Sequence, residues 1–214
     1  MSALNNQHQY WDKVAATKTF THPLDQDILL SFFQKTHKIL DYGCGYGRLA
    51  EELYADGFIN ITGVDTSSEL IKRGNSLYPE LKLIAIGDVK ELNDFETDFD
   101  IVLLFAVLTC IPANEGQRQL IEILYQRLRP GGFLYISDYY LQGNTGEVNR
   151  YHSLQQDPDN YGVFSLPEGV VFRHHTKEWI KELLQDFEIV AEKMIPVTTM
   201  NGHSAEAFQL LARK

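Results

Sequence analysis

The run Lys38-Ile39-Leu40-Asp41-Tyr42-Gly43-Cys44-Gly45-Tyr46-Gly47-Arg48 constrains this chain more than any other segment. A short apolar stretch of strand length ends in an acid and enters a loop with glycine at every second position. A helical pattern follows at once, with Leu49, Ala50, Leu53 and Tyr54 recurring on one side. Glycine is needed where backbone takes up positive φ or passes close to a ligand. A strand–glycine loop–helix unit also aims backbone N–H groups at the crevice beyond the strand ends. The segment therefore reads as a site for a nucleotide-type ligand.

The pattern repeats along the chain. Ile39 to Tyr42 is strand one, and the helix after Gly47 ends near Asp56-Gly57. Ile61 to Val64 is strand two, closed by Asp65. Thr66 and Glu69 form a capping box that opens the next helix. Leu81 to Ile86 is strand three and Phe99 to Phe105 strand four. A second box, Asn114 with Gln117, starts a helix through Leu120, Ile121, Leu124 and Leu128; Pro130-Gly131-Gly132 stops it, and Phe133 to Ser137 is strand five.

Such nearly continuous apolar strands belong to a sheet covered on both faces, and their alternation with helices predicts a parallel, doubly wound α/β fold. The tail departs from this. Thr176 caps a helix, and Phe187 to Val197 and Ala205 to Leu211 read as strands paired antiparallel across an Asn201-Gly202 turn.

With 214 residues and no linker-like stretch, a single domain over 1–214 is expected. A net charge of −10 disfavours a nucleic-acid or anionic-membrane partner. Cys44 and Cys110 lack metal-ligand spacing and read as small buried thiols. Neither a charged-then-apolar leader nor a membrane-length apolar run is visible, so a cytoplasmic protein is expected.

The glycine spacing decides between ligands. A dinucleotide fingerprint is G-x-G-x-x-G, whereas this loop carries Gly43, Gly45 and Gly47, two residues after Asp41. An acid there repels a pyrophosphate and suits a cationic ammonium group. Asp65 stands where a carboxylate accepts ribose hydroxyls. The Gly87-Asp88 pair closes strand three, facing an adenine amino group. Asp65 also fits a helix cap, and Asp88 an ordinary turn.

These pieces, with Leu128-Arg129-Pro130-Gly131-Gly132 before strand five, resemble the class I S-adenosylmethionine-dependent methyltransferases, closely over 37–138 and in pattern from 176 onward. The resemblance implies a Rossmann-like, doubly wound seven-stranded sheet with an antiparallel C-terminal strand pair. It also implies that Asp41, Gly43, Cys44, Gly45 and Gly47 hold the methionine part of S-adenosyl-L-methionine. Asp65 would bind the ribose with Thr66 flanking, Asp88 and Val89 would meet the adenine, and Phe105 and Ala106 would lie near the methyl group.

The expected reaction is methyl transfer to an oxygen or nitrogen of a small-molecule acceptor. The alternatives are an NAD-dependent oxidoreductase and a non-catalytic S-adenosylmethionine-binding protein. An Asn-Pro-Pro-Tyr motif of amino-methylating nucleic-acid enzymes is absent after strand four, where the chain reads Phe105-Ala106-Val107-Leu108.

The acceptor side is expected from the N-terminal region 1–36 and a long insert, 139–175, since a segment of that length is usually a functional lid. Gly162 to Leu166 and Gly169 to Arg173, around Pro167-Glu168, read as a hairpin in it. His22, His152, His174 and His175 are candidate bases, with His22 and His175 favoured by their positions. Tyr10, Asp138 and Tyr139 are candidates to orient the acceptor. The Met200-Asn201-Gly202-His203 turn reads as a hairpin feature.

Overall fold

The computed structural model describes residues 7–95, 97–143, 151 and 161–214. Two short N-terminal helices, α1 (His8–Val14) and α2 (Gln26–Phe32), precede the β/α alternation. It runs β1 (Ile39–Tyr42), α3 (Arg48–Ala55), β2 (Ile61–Asp65), α4 (Ser68–Leu77), β3 (Lys82–Ala85), a 3₁₀ turn over Val89–Asp94, and β4 (Phe99–Phe105). A second 3₁₀ turn (Leu108–Cys110), α5 (Asn114–Arg127) and β5 (Leu128–Asp138) complete it. The insert contributes the hairpin β6 (Val163–Ser165) and β7 (Val171–Arg173). Helix α6 (Lys177–Leu183) and strands β8 (Glu188–Thr198) and β9 (Ser204–Arg213) close the chain.

The main sheet has the order β3-β2-β1-β4-β5-β9-β8. The first five of these strands are parallel; β9 runs antiparallel to both β5 and β8. Side chains on a strand alternate between faces, and here they sort into two cores. Leu40, Val102, Leu104, Leu134, Ile136 and Leu210 pack on one face, with α5 and α6. Ile39, Ile101, Leu103, Tyr135 and Leu211 pack on the other, with α2 and α3. Both faces are therefore buried, which is why these strands read as unbroken apolar runs.

The strand order reverses between β1 and β4, so the crevice opens past the carboxyl ends of these two strands. Asp41, Asp65, Asp88, Ala106 and Tyr139 all sit at or just past carboxyl ends of the parallel strands.

Three local expectations are corrected. The α4 cap is Ser67, not Thr66: its hydroxyl accepts from Leu70 N at 3.2 Å and donates to Asp12 of α1 at 2.7 Å. Asn114 and Gln117 form no capping box. Gln117 turns into the core, and Asn114 accepts from Arg173 at 2.5 Å. Pro130-Gly131-Gly132 lies inside β5 rather than before it, producing the register shift between Phe99 and Ile101. Gly131 N and Lys214 N bond across this irregularity, to Lys214 O and Gly132 O, both at 2.9 Å.

The remaining elements form as expected. Thr176 accepts from Trp179 N at 3.0 Å and caps α6. The insert hairpin pairs Phe164 with Phe172. No helix among the described residues is long and apolar enough to cross a membrane.

Candidate active site

The glycine loop is built by packing. Gly43, Gly45 and Gly47 have φ of +74°, +59° and +82°, which side chains on L-residues adopt only under strain. A Cβ on them would also strike Val107 at 2.4 Å, Phe20 at 2.3 Å and Leu83 at 2.7 Å. The alternate glycines thus serve positive φ and close protein contacts. Their N–H groups are not aimed at a ligand as a pyrophosphate site would need. Gly43 N and Cys44 N both bond Val64 O, at 2.8 and 3.0 Å, and Gly45 N donates to Asp65 Oδ2 at 2.8 Å.

Two acids face the crevice beside this loop. Asp41 is 1% exposed, and its Oδ2 has no hydrogen-bond partner. Burial lifts its carboxyl to about 7, against the pull of the Arg48 guanidinium and with a push from Asp65. Asp65 is held by two backbone donors, Gly45 N on Oδ2 and Ser67 N on Oδ1, each at 2.8 Å. A carboxylate offers roughly four lone-pair sites, so acceptor capacity remains toward the cavity. Burial raises the Asp65 carboxyl, opposed by the Ser67 and Gly45 N–H groups.

Both acids line a cavity of about 910 Å³ that runs from the β2–β3 edge across the glycine loop to the insert hairpin. That is near the upper end of the roughly 300–1,000 Å³ typical of small-molecule pockets. Of the sequence-predicted cofactor residues, Asp41, Gly43, Cys44, Asp65, Thr66, Asp88, Val89, Phe105 and Ala106 are on its wall. Gly45 and Gly47 stand behind the wall and shape it. Asp88 has a structural task as well: it accepts from Lys90 N at 2.9 Å and caps the 3₁₀ turn in a box with Glu91.

Ala106 departs from ordinary backbone. With φ of +53° it turns the chain sharply at the end of β4, tied by its N–H to Ser137 O at 2.7 Å. An αL alanine costs roughly 1–2 kcal/mol relative to right-handed conformations. Ala106→Gly is therefore expected to raise unfolding free energy by about 0.5–1 kcal/mol in urea titrations, net of the entropy glycine adds to the unfolded chain. A loss of stability would show that the turn is unstrained.

The candidate bases separate cleanly. His22 is on the cavity wall; its Nδ1 lies 2.8 Å from Ser137 Oγ, and its Nε2 is buried without a partner. Burial and the Arg48 charge lower its pKa to about 4, so the ring is neutral at neutral pH. His174 is also on the wall, with Nδ1 2.5 Å from the Tyr151 hydroxyl.

His175 is away from the cavity and fully buried. Its Nδ1 lies 3.1 Å from Tyr139 O and its Nε2 3.0 Å from Gln117 Nε2. Burial lowers its pKa to about 3, which keeps the ring neutral as Nδ1–H donor and Nε2 acceptor. The expectation of a base at His175 is thus corrected: both nitrogens are engaged in the core. His152 lies outside the described residues.

Two acceptor-side candidates are likewise off the wall. Asp138 is fully buried and clamps backbone, accepting from Thr109 N at 3.1 Å and Tyr139 N at 2.8 Å. Tyr10 packs in the aromatic cluster around the insert hairpin, edge-on to Trp11 at 5.1 Å. Tyr139 does line the cavity. Thr109 and Cys110 in the 3₁₀ turn after β4, and Gln142 after β5, are wall residues that carry no site expectation from the sequence, where Cys110 reads only as a buried thiol. Their position just past the carboxyl ends of strands is the signal that could have found them. Met200, Asn201 and His203 also reach the wall, so the β8–β9 turn is part of the site and not only a hairpin feature. Cys110 is half-buried rather than buried.

The residues present fit S-adenosylmethionine. The orphaned Oδ2 of Asp41 suits an ammonium group, and the spare lone pairs of Asp65 suit two vicinal hydroxyls. The engaged loop N–H groups offer a phosphate nothing. Because a cation selects the ionised form of Asp41, affinity for S-adenosylhomocysteine should rise with pH up to about 7 and level off above it. Calorimetry between about pH 5.5 and 7.5 checks this. Asp41→Asn should bind more weakly with a flat profile, and a flat wild-type profile would contradict the assignment.

Comparison with known proteins agrees with this geometry. A methyltransferase domain family model matches residues 40–136. Malonyl-[acyl-carrier protein] O-methyltransferase of Priestia megaterium is 31% identical over 166 residues, covering 75% of this chain and 57% of that protein. The chain spans less than two thirds of the length of the first curated relatives it matches. A crystal structure of a SAM-dependent methyltransferase from Methanosarcina mazei superposes with a TM-score of 0.82 at 24% identity, over 90% of this chain and 99% of that one, which shows a shared fold. A Burkholderia thailandensis 1,6-didemethyltoxoflavin-N1-methyltransferase, solved with S-adenosylhomocysteine, gives a TM-score of 0.63 at 21% identity, over 88% of this chain and 75% of that one. From the domain match and the acid-led glycine loop it covers, the chain belongs to the class I S-adenosylmethionine-dependent methyltransferases.

Proposed function

We propose that this protein transfers a methyl group from S-adenosylmethionine to an oxygen or nitrogen of a small-molecule acceptor. The observation that carries the reading is the pair of acids at the ends of β1 and β2, one with an unpartnered buried oxygen, beside a cavity larger than its acid-lined end. When bound, the cofactor would supply an electrophilic methyl group on a sulfonium, whose sulfur leaves as a neutral thioether and needs no acid.

The chain's own residues then have three tasks. Asp41 holds the ammonium group, with Gly43 and Cys44 beneath it. Asp65, flanked by Thr66, takes the ribose hydroxyls, while Asp88 and Val89 border the adenine; Phe105 and Ala106 flank the methyl end. At the acceptor end, His22 Nε2 receives the proton of the attacking O–H or N–H, with Nδ1–H turned to Ser137 Oγ. A ring with pKa of about 4 is a weak base, so its main contribution is orientation of the nucleophile, for which alignment matters most.

The N-terminal region 1–36 and the insert 139–175 act as the acceptor cap of one domain. Support comes from α1, which is pinned over α4: Asp12 accepts from Ser67 Oγ and from Glu69 N at 3.1 Å, and Arg73 donates to Ala15 O and Lys18 O, both at 2.8 Å. Gln7 reaches the carbonyl of Val171 in the insert hairpin.

Incubation with methyl-tritiated S-adenosylmethionine and fractionated cell extract tests the activity. Label should enter a low-mass, solvent-extractable fraction. Label only in protein or nucleic acid would overturn the acceptor class, and no transfer despite cofactor binding would favour a non-catalytic binder.

A further inference from the structure

The acceptor end of the cavity has a consistent chemistry. Six rings on its wall form a continuous belt from α1 through the insert hairpin to the end of β5. Trp11 and Phe172 lie 6.3 Å apart between centroids, Phe172 and Phe164 6.2 Å, and Phe164 and His174 4.9 Å. His174 stacks on Tyr139 at 5.0 Å and 28°, and Tyr139 meets His22 edge-on at 4.9 Å. Faces and edges of such rings favour flat π-systems over saturated ones.

The charges point the same way. Among the described wall residues the acids are Asp41, Asp65, Asp88 and Glu168, and the cation is Arg48. Arg48 is largely engaged, through Glu52 at 3.4 Å and the carbonyl of His22, with its Nε buried and unpartnered. Glu168 sits exposed in the hairpin turn at the belt's outer end. Among the described wall residues an anionic acceptor would lose water and meet no cation other than the guanidinium that Glu52 and the His22 carbonyl already share, and it would enter against the field of a chain with net charge −10. The polar anchor left in the belt is His22 Nε2, buried and unpartnered.

We infer that the acceptor is a planar aromatic or heteroaromatic compound, neutral or basic, bearing an O–H or N–H and no carboxylate or phosphate. The assignment rests on the methyl-transfer reading. It names what the belt between Trp11 and His22 selects.

The test uses the full chain saturated with S-adenosylhomocysteine, and calorimetry with four probes: 2-naphthol, 2-aminoquinoline, 2-naphthoate and decahydro-2-naphthol. The first two should bind at least about tenfold more tightly than the last two, since ring packing and charge each separate the pairs. Trp11→Ala, at a half-buried position on a surface helix, should narrow the gap between naphthol and its saturated counterpart. Glu168→Lys, on an exposed turn, should improve naphthoate binding by about threefold at low salt. Naphthoate or the saturated alcohol binding as well as naphthol would overturn the assignment, as would no aromatic probe binding to the cofactor-loaded protein. Failure of S-adenosylhomocysteine itself to bind would overturn the methyl-transfer reading and this assignment together, and is read out before any probe is added.

Discussion

Asp65→Ala is expected to weaken binding of S-adenosylhomocysteine by at least about a hundredfold, the largest functional effect of any single substitution here. A hydrogen bond to a charged group contributes roughly 1.5–3 kcal/mol, and the proposed seat of two ribose hydroxyls on this carboxylate would give two of them. The same carboxylate also holds Gly45 N and Ser67 N. Its removal therefore loosens the glycine loop and the start of α4 together. Asp65→Asn keeps the shape and one acceptor oxygen, so its loss should be smaller, on the order of tenfold. Calorimetry on both variants checks the order. Equal affinity of Asp65→Ala and wild type would remove Asp65 from the cofactor site.

The largest expected effect on stability comes from a residue outside the cavity. Gln117 is fully buried and joins four partners. Its Nε2 lies 3.0 Å from Leu108 O, 2.7 Å from Ile111 O and 3.0 Å from His175 Nε2; its Oε1 accepts from Trp179 Nε1 at 2.6 Å. Gln117→Leu keeps much of the volume and strands Ile111 O, His175 Nε2 and Trp179 Nε1, while Leu108 O keeps the N–H of Ile111 at 3.0 Å. At about 1–3 kcal/mol for each buried group left unpaired, with partial relaxation, a loss of about 4 kcal/mol is expected in urea unfolding. A change below about 1 kcal/mol would contradict the network. The result also bears on His175, which belongs to this network and not to the chemistry.

How much of this was legible in the sequence follows from what each signal depends on. The strands, the glycine loop and the two acids were legible because they rest on local rules: side-chain period, positive φ, and an acid at a strand end. The caps were less so. Thr66 and Ser67 both carry hydroxyls, and the choice between them is reinforced by Asp12, which reaches Ser67 from a helix 55 residues earlier. Asn114 and Gln117 have capping-box spacing, but burial of Gln117 against α6 and His175 outweighs a surface cap.

The neighbours His174 and His175 show the limit most clearly. Consecutive residues on extended chain face opposite sides, so one of the two had to face the cavity and the other the core. Which one is fixed by pairing: His175 N bonds Tyr139 O at 3.0 Å and Leu141 N bonds His175 O at 2.9 Å. That register is a tertiary fact. The same holds for the β8–β9 turn, whose residues face the cavity only because β9 pairs antiparallel beside β5.

The central claim is that the acid-led glycine loop holds S-adenosylmethionine and not a nicotinamide dinucleotide. Parallel calorimetric titrations of the full chain with S-adenosylhomocysteine and NADH test it most directly. The account predicts saturable one-to-one binding of S-adenosylhomocysteine at micromolar affinity, and no measurable heat from NADH. Tight NADH binding with no response to S-adenosylhomocysteine would contradict it.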